Sequence, residues 1–210
     1  MQSINERKYN MNKVKLAIIY YSATGGNYQM IKWAEDAALA AGAEVKIFRV
    51  GELAPDAAIA SNPLWQEHSD ETKDLIPVAT PQDFVDADAV IFSTPTRYGN
   101  VSSQMKQYFD LLGGVWSQGL LVNKFVTAMS SAMNTSGGVE ETIRSIYTSA
   151  MHFGALIVAP GYTDASIYAA GGNPYGASAQ IIDGKIVNDV EGAVRHQAKR
   201  IVEVTAQFIN

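Results

Sequence analysis

The residues best suited to chemistry lie in three polar loops, of which the first is S-A-T-G-G-N at positions 22–27. It follows the apolar run K-L-A-I-I-Y-Y and leads directly into a helical pattern. At such a helix start, free backbone N–H groups and the positive end of the helix dipole favour a phosphate, and glycines let the backbone come close to it. Ser22, Thr24 and Asn27 can add side-chain hydrogen bonds. The loop therefore predicts an anion site, although an ordinary polar turn would use the same residue types.

The spacing of this first loop excludes two common nucleotide sites. It lacks the Lys and Ser or Thr that follow the last glycine of a nucleoside triphosphatase loop, and it lacks the G-x-G-x-x-G pattern of dinucleotide-binding folds. No Lys or Arg lies between Lys15 and Lys32, so neutral donors would hold the phosphate. A single monophosphate suits such a loop.

The second loop, P-T-R-Y-G-N at 95–100, is suited to a flat, electron-accepting ring. Its backbone N–H groups can bind a ring carbonyl and nitrogen, Tyr98 can stack or pack edge-on, and Arg97 can stabilise negative charge that develops on reduction. A phosphate at one loop and a ring at the other predict a flavin mononucleotide (FMN) site. The alternative is that Arg97 is an ordinary surface charge and Tyr98 covers the core.

Alternating strand and helix patterns position these loops. Apolar strands are predicted near 15–21, 87–93, 125–129 and 155–159, and a half-wet strand at 44–50 is expected near the sheet edge. Helical patterns of 10 to 15 residues separate them and predict parallel βαβ units, hence an α/β, doubly wound, five-stranded sheet of order 2-1-3-4-5 with insertions. All three loops, including S-S-A-M-N-T-S-G-G at 130–138, leave carboxyl ends of strands, so they are expected to converge.

Proline, glycine and capping residues predict several boundaries. Residues 51–81, which contain four prolines, are expected to form a long excursion with one short helix, and Thr80-Pro81 with Asp83 starts the next helix. Gly113-Gly114 is expected to stop a helix, and the last helix spans about 191–208. We expect a single domain over 13–210 after a disordered extension at 1–12.

Composition limits the classes of function. The 210-residue chain is 47% hydrophobic, carries a formal net charge of −5 and contains no Cys. The negative charge argues against nucleic acid as a partner, and the absence of thiols means that redox chemistry needs a bound cofactor. No metal site is predicted. Without a signal segment or an apolar run of about 18 residues, neither a membrane span nor export is expected, and a cytoplasmic location follows as the default.

The chain resembles the flavodoxin-like NAD(P)H:quinone oxidoreductases of the WrbA type over roughly residues 13–204. The resemblance rests on P-T-R-Y-G-N at 95–100, G-G-N-P-Y-G-A at 171–177, Y-Y-S at 20–22, G-G-V-W at 113–116, and Ser130-Ser131 with Gly137-Gly138. It implies FMN as cofactor, with the first loop at the phosphate, the second at the isoalloxazine ring, and the third at ribityl and ring. It also implies that Trp116 borders the space for quinone or nicotinamide.

Together, the loops and the resemblance predict a set of cofactor-binding residues: Ser22, Ala23, Thr24, Gly25, Gly26, Asn27, Pro95, Thr96, Arg97, Tyr98, Gly99, Asn100, Ser131, Ala132, Met133, Asn134, Thr135, Ser136, Gly137 and Phe153. Arg97 and Tyr98 are the predicted catalytic residues, and Trp116 the substrate residue. The chain departs from the family pattern at Thr24, where an aromatic is usual, at Gly26, and at Phe153, which replaces a histidine that faces the flavin.

The predicted activity is two-electron reduction of quinones by NAD(P)H, in which both substrates use one site in turn. Two alternatives stay open: a flavodoxin-type electron carrier, and an FMN-dependent azo or nitro reductase. Carriers tend to surround their flavin with carboxylates, whereas the first two loops here carry none. The segments at 51–81 and after Tyr162 exceed what a five-stranded core needs, and Leu64, Trp65, Tyr168 and Tyr175 could anchor a homo-oligomer, by resemblance a tetramer. They could equally fold back on their own domain.

Overall fold

The fold is described for residues 13–209 of a computed structural model. The extension at 1–12, which was predicted to be disordered, lies outside the described residues. No helix within 13–209 is both long enough and apolar enough to cross a bilayer, and the cytoplasmic location stays a prediction.

Four parallel strands form the centre of the sheet: β1 (Lys15–Tyr20), β2 (Glu44–Arg49), β3 (Ala89–Pro95) and β4 (Phe125–Ala132). Their order is β2-β1-β3-β4, which confirms the first part of the predicted topology. Among the named strands, β2 pairs with β1 alone, so it lies at the edge of the sheet. Most of its residues are partly exposed, and its alternating sequence pattern predicted both features.

The predicted fifth strand lies beside β4, as the predicted order requires, but it is shorter than predicted. Only Leu156–Ile157 (β5) forms a strand, and it pairs with the first two residues of β4. The chain then makes a detour, and β6 (Ser178–Ile182) pairs with the last residues of β4, from Ser130 to Ala132. A short antiparallel strand, β7 (Lys185–Ile186), extends the sheet beyond β6. The observed sheet is therefore mixed, with seven strands in the described chain.

Helices cover both faces of this sheet. They are α1 (Gly26–Ala40), α2 (Asp56–Ala60), α3 (Pro63–Thr72), α4 (Pro81–Asp86), α5 (Ser103–Leu111), α6 (Gly113–Ser117), α7 (Val139–His152), α8 (Ala165–Ala169) and α9 (Glu191–Ala206). One prediction needs correction, because the excursion at 51–81 holds two helices, α2 and α3, before α4. The helix α5 ends at Leu111, next to Gly113-Gly114 as predicted, but a further helix, α6, begins at Gly113 itself.

Alternate residues of each central strand supply two separate cores. Leu16, Ile18 and Tyr20 face one cluster with residues of α1 and α9. Ala17, Ile19 and Tyr21 face the other cluster, with residues of α4, α5 and α7. Burial on both faces explains why β1 and β3 consist of continuous apolar runs. The sheet is thereby held rigidly, and the loops at its carboxyl edge have a fixed base.

Candidate active site

The three predicted loops meet in one cleft at the carboxyl edge of the sheet. The cleft has a volume of about 550 Å³, within the usual range for small-molecule sites. Many of the cofactor-binding residues that the sequence predicted line this cleft: Ser22, Ala23, Thr24, Gly26, Asn27, Pro95, Thr96, Arg97, Ser131, Ala132, Met133, Asn134 and Gly137. The expected convergence is therefore present in the tertiary structure.

The first loop presents the open amino terminus of α1 to this cleft. Gly25, the N-cap, has a φ of 89° and provides no side-chain cap for the helix. Such a left-handed conformation favours glycine. The N–H groups of the first helical turn point out of the helix by geometry and are suited to bind an anion.

Asn27 has a structural role that its sequence position did not reveal. Its side chain is 2% exposed, donates to Ser93 Oγ at 3.0 Å and accepts from Ser131 Oγ at 2.6 Å. These bonds join α1 to β3 and β4 directly beneath the cleft. The side chains of Asn27 and Ser131 are thus already engaged, and the backbone of each loop is the part best placed for a ligand.

The second loop is a tight turn with its tyrosine at the tip. Arg97 and Asn100 exchange backbone hydrogen bonds of 2.7 and 3.1 Å, and the two residues between them have positive φ, 55° for Tyr98 and 79° for Gly99. This is the pattern of a type I′ turn. The Tyr98 side chain is fully exposed. Tyr98, Gly99 and Asn100 do not line the cleft itself, and Tyr98 does not cover the core.

The third loop packs closely against the second. A Cβ on Gly138 would lie 2.9 Å from Gly99 Cα, so the two backbones touch, and Gly138 itself has a φ of 82°. Thr142, on α7, donates to Thr96 Oγ1 at 2.8 Å and ties the loops together. At Gly137 a Cβ would meet Ala132 Cβ at 2.4 Å. Gly25, Thr135 and Ser136 lie in these loops but outside the cleft lining.

Arg97 is the cation of the cleft. Its guanidinium donates to the carbonyl of Thr96 at 3.0 Å, and it forms no ion pair within residues 13–209. Asp183 is the carboxylate among the residues that line the cleft. It lies beside the first loop, since a Cβ built on its neighbour Gly184 would be 3.2 Å from the carbonyl oxygen of Thr24. Among the residues that line the cleft, the ring end therefore carries the positive charge.

A hydrogen-bonded group of Tyr21, Glu52 and Gln104 lies next to Arg97. Gln104 donates to the Tyr21 hydroxyl at 2.9 Å and to Glu52 Oε1 at 2.6 Å, and Tyr21 donates to Glu52 Oε2 at 3.0 Å. Burial works to raise the pKa of Glu52, but hydrogen bonds from the Ala54 N–H, Gln104, the Leu53 N–H and Tyr21 hold that pKa below its ordinary value. Burial and the nearby Glu52 raise the pKa of Tyr21. Glu52 is thus ionised and Tyr21 neutral at neutral pH.

Sequence reasoning missed several cleft residues from two insertions: Asn62, Leu64 and Trp65 near the start of α3, and Ile181, Asp183 and Gly184 on the β6–β7 hairpin. The I-I-D-G-K-I stretch at 181–186 is a recognisable hairpin signal, with positive φ at Asp183 and Gly184. Asn62-Pro63 is a recognisable helix start, and Asn62 does cap α3. Neither signal says that the segment folds over the cleft. Leu64 and Trp65 fold back on their own domain.

Phe153 and Trp116 are not brought to this cleft. Phe153 follows the 14-residue helix α7, which starts beside the second loop and extends away for about 20 Å. Its ring packs edge-on against Phe84 and Phe109 at centroid distances of 6.3 and 6.1 Å. Trp116 donates from Nε1 to the carbonyl of His152 at 2.9 Å. Within one chain, neither residue lines the cleft, because α6 carries Trp116 and the far end of α7 carries Phe153, and their contacts with substrate and cofactor stay predictions.

Comparison with known proteins identifies the family. The family model for NADPH-dependent FMN reductases matches residues 14–166, most of the chain. The chain belongs to this family. A curated relative, NAD(P)H dehydrogenase (quinone) from Deinococcus radiodurans, is 46% identical over 196 residues, which cover 93% of this chain and 98% of the relative. These findings confirm the predictions of an enzyme and of FMN as its cofactor.

Solved structures support the flavodoxin-like α/β fold. A WrbA-like flavodoxin from Agrobacterium tumefaciens matches with a TM-score of 0.66 at 18% identity, covering 93% of this chain and 99% of that chain. The two-electron reduced flavodoxin of Megasphaera elsdenii matches with a TM-score of 0.54 at 17% identity, covering 90% and 98%. At such identities the likeness concerns the fold alone.

The geometry fits FMN in the predicted orientation. The uncapped helix start at Gly25 suits a phosphate, and the unpaired guanidinium of Arg97 suits the electron-rich end of a flavin ring. Gly137 and Gly138 allow the third loop to lie close against its neighbours. Which residues contact the cofactor stays a prediction.

Proposed function

We propose that this protein reduces quinones by two electrons at the expense of NAD(P)H, with FMN held in the cleft of the three loops. The observation that carries the proposal is the convergence of an uncapped helix amino terminus and an unpaired arginine on one cleft of about 550 Å³. The curated relative named NAD(P)H dehydrogenase (quinone) supports the same activity.

The first loop would bind the FMN phosphate through backbone N–H groups. Residues from Ser22 to Asn27 provide these groups, with the Ser22 and Thr24 hydroxyls as additional donors. The buried bonds of Asn27 to Ser93 and Ser131 would hold the loop in position before the cofactor arrives. A preorganised site loses less conformational entropy on binding.

The second and third loops would hold the ring. When bound, FMN supplies hydride acceptance from the nicotinamide and two-electron transfer to the quinone. Thr96, Arg97 and the backbone from Ser131 to Gly137 would fix the plane of the ring, and the Arg97 guanidinium would stabilise negative charge on its pyrimidine side. Because the open face of the ring is shared, nicotinamide and quinone would bind in turn, with ping-pong kinetics.

The positive ring end favours an enzyme over a one-electron carrier. A carboxylate beside the ring would disfavour an anionic two-electron reduced flavin by charge repulsion. Asp183 lies at the phosphate side, and Glu52 is held by four hydrogen-bond donors. Arg97 is left to act on the ring.

We also propose that the chain forms a homo-oligomer. Trp116 is 52% exposed although it is a large apolar residue, and Leu111, Leu120, Val122, Met151 and Leu156 are exposed as well. Val122 lies beside Gly154, and Leu156 follows two residues later, so part of this apolar surface is continuous. Burial of such a surface between subunits is the usual reason for its persistence. A monomeric mass by light scattering at micromolar concentration would contradict this.

The test of the activity is direct. The purified protein is titrated with FMN until the visible flavin absorbance is saturated, and the complex is mixed with NADPH or NADH and then with benzoquinone in a stopped-flow instrument. We expect the flavin absorbance to bleach with the nicotinamide and to return with the quinone. Bleaching that requires a separate protein reductase would identify an electron carrier and overturn the proposal.

A further inference from the structure

A second cavity of about 600 Å³ adjoins the cofactor cleft. Trp65 and Arg97 line both spaces, so the two are continuous around these side chains. The second cavity extends from there along the start of α5, past Gln104 to Lys106. Of the three loops that hold FMN in the proposed function, the second lines this cavity, through Arg97 and Asn100, and no residue of 22–27 or 131–138 does, which leaves most of this space free for a different molecule.

The walls of the second cavity suit an anionic ligand with an aromatic part. Arg97 and Lys106 supply two positive charges to its lining. Lys106 also pairs with Asp110 one helical turn further on, but its side chain stays 57% exposed and can reorient. Trp65 is half-buried and offers an indole ring for stacking.

The floor of this cavity is satisfied and fixed. Tyr21 and Gln104 both line the cavity, and both donate to Glu52, as described above. Gln104 also accepts from Ser103 Oγ at 3.1 Å. The ionised Glu52 lies behind Tyr21 and Gln104, whereas Arg97 and Lys106 line the cavity itself, so the polar lining favours a hydrogen-bonding ligand with an anionic group over an uncharged quinone.

We propose that the second cavity binds the adenosine and phosphate half of the nicotinamide substrate, with Lys106 at a phosphate and Trp65 against the adenine. This rests on the proposed function, since it assumes that NAD(P)H donates at the ring beside Arg97. The nicotinamide must reach the cofactor cleft, and the rest of a dinucleotide then needs an adjoining anion-binding space. The second cavity provides it within the same chain.

The test is a charge series at Lys106 in the FMN-loaded protein: Lys106→Arg, Lys106→Gln and Lys106→Glu. An exposed charge-assisted contact to a phosphate is worth about 1 kcal/mol, or about fivefold. We expect KM for NADPH to rise about fivefold with Gln and further with Glu, and to stay near the native value with Arg. The KM for benzoquinone and kcat at saturation should not change.

Lys199→Glu is the matched control. Lys199, on α9, has a similar exposure of 60% and a similar partner four residues on, Glu203, but it lies on the other face of the sheet. The same charge change there should leave KM for NADPH unchanged. An equal rise in both variants would indicate a general effect of net charge and would overturn the proposal.

Calorimetry separates this proposal from the activity itself. Adenosine 2′,5′-bisphosphate is titrated into the FMN-loaded native protein and into Lys106→Glu. We expect binding to the native protein and at least fivefold weaker binding to the variant. If nicotinamide oxidation is absent but this difference is present, the proposed function fails while the cavity assignment stands. If NADPH is oxidised but neither KM nor bisphosphate binding responds to Lys106, the cavity assignment fails.

Discussion

Ile181, on strand β6, occupies the space directly over Gly26, at the start of α1. A Cβ built on Gly26 would lie 1.9 Å from Ile181 Cδ1 and 2.9 Å from Cγ1. The insertion after β5 and the first loop are thus packed against each other at the place where the FMN phosphate is proposed to bind. This contact gives a physical reason for glycine at position 26.

This contact predicts a coupled pair of substitutions. Gly26→Ala should destabilise the fold by about 1–3 kcal/mol through overpacking and should weaken FMN binding. In an Ile181→Ala background the same change should be close to neutral, because the clash is gone. The free energy of unfolding in urea, measured for both single variants and the double variant, gives the coupling.

A matched control exists on α6. Gly113 is helical, and a Cβ added there would meet no atom of the described chain within 4 Å, so Gly113→Ala should stabilise by up to about 1 kcal/mol. Additive effects of Gly26→Ala and Ile181→Ala would show that the contact has no energetic consequence.

Tyr98 is held in a left-handed conformation without any burial to compensate. Asparagine adopts a φ near 55° more readily than tyrosine does, so Tyr98→Asn should raise the free energy of unfolding by about 0.5–1 kcal/mol. If Tyr98 contacts a bound ring or substrate, turnover should fall in the same variant. Tyr162→Asn, an exposed tyrosine without positive φ, should bring no gain in stability. A less stable Tyr98→Asn protein would contradict the strain argument.

Arg97 is expected to act on the reduced cofactor more than on the fold. Arg97→Gln removes an exposed cation with no carboxylate partner in the described chain, so stability should hardly change. The midpoint potential of bound FMN should fall, and flavin reduction by NADPH should slow by about ten- to a hundredfold, as for loss of a charged hydrogen bond. Arg97→Lys should restore part of the potential. An unchanged potential in Arg97→Gln would remove Arg97 from the proposed role.

His68 predicts a pH dependence of stability. It is buried beside Gly25 and the ring of Tyr28, and burial lowers its pKa from the ordinary value of 6.5. Below pH 6.5 the unfolded chain therefore binds a proton at His68 more readily than the folded chain does. The stability that the neutral imidazole allows is fully present above pH 6.5, and the free energy of unfolding falls as the pH drops below that value. His68→Gln should flatten the dependence of unfolding free energy on pH between about 6.5 and 5. An unchanged slope in His68→Gln would contradict this account of the buried imidazole.

Local signals predicted much of the framework. The start of α4 is an example: the backbone N–H of Thr80 donates to Asp83 Oδ2 at 2.7 Å, as expected from a capping pattern within four residues. The continuous apolar run of β1 likewise predicted a strand that is buried on both faces of the sheet. The alternation in β2 predicted a strand with one buried face and one wetter face. Gly113-Gly114 marked the end of α5, but it did not predict α6, because glycine at the start of a helix does not prevent that helix from forming.

The sequence by itself determined the parallel βαβ framework, the three polar loops and their common edge, because these follow from periodicity and from the direction of parallel strands. It was also sufficient to predict the FMN cofactor. Only the tertiary structure decided that the fifth strand is divided between β5 and β6, that Ile181 and Trp65 lie over the cleft, and that Phe153 lies at the far end of α7. These contacts join residues far apart in the chain, and their energies depend on packing that no local pattern encodes.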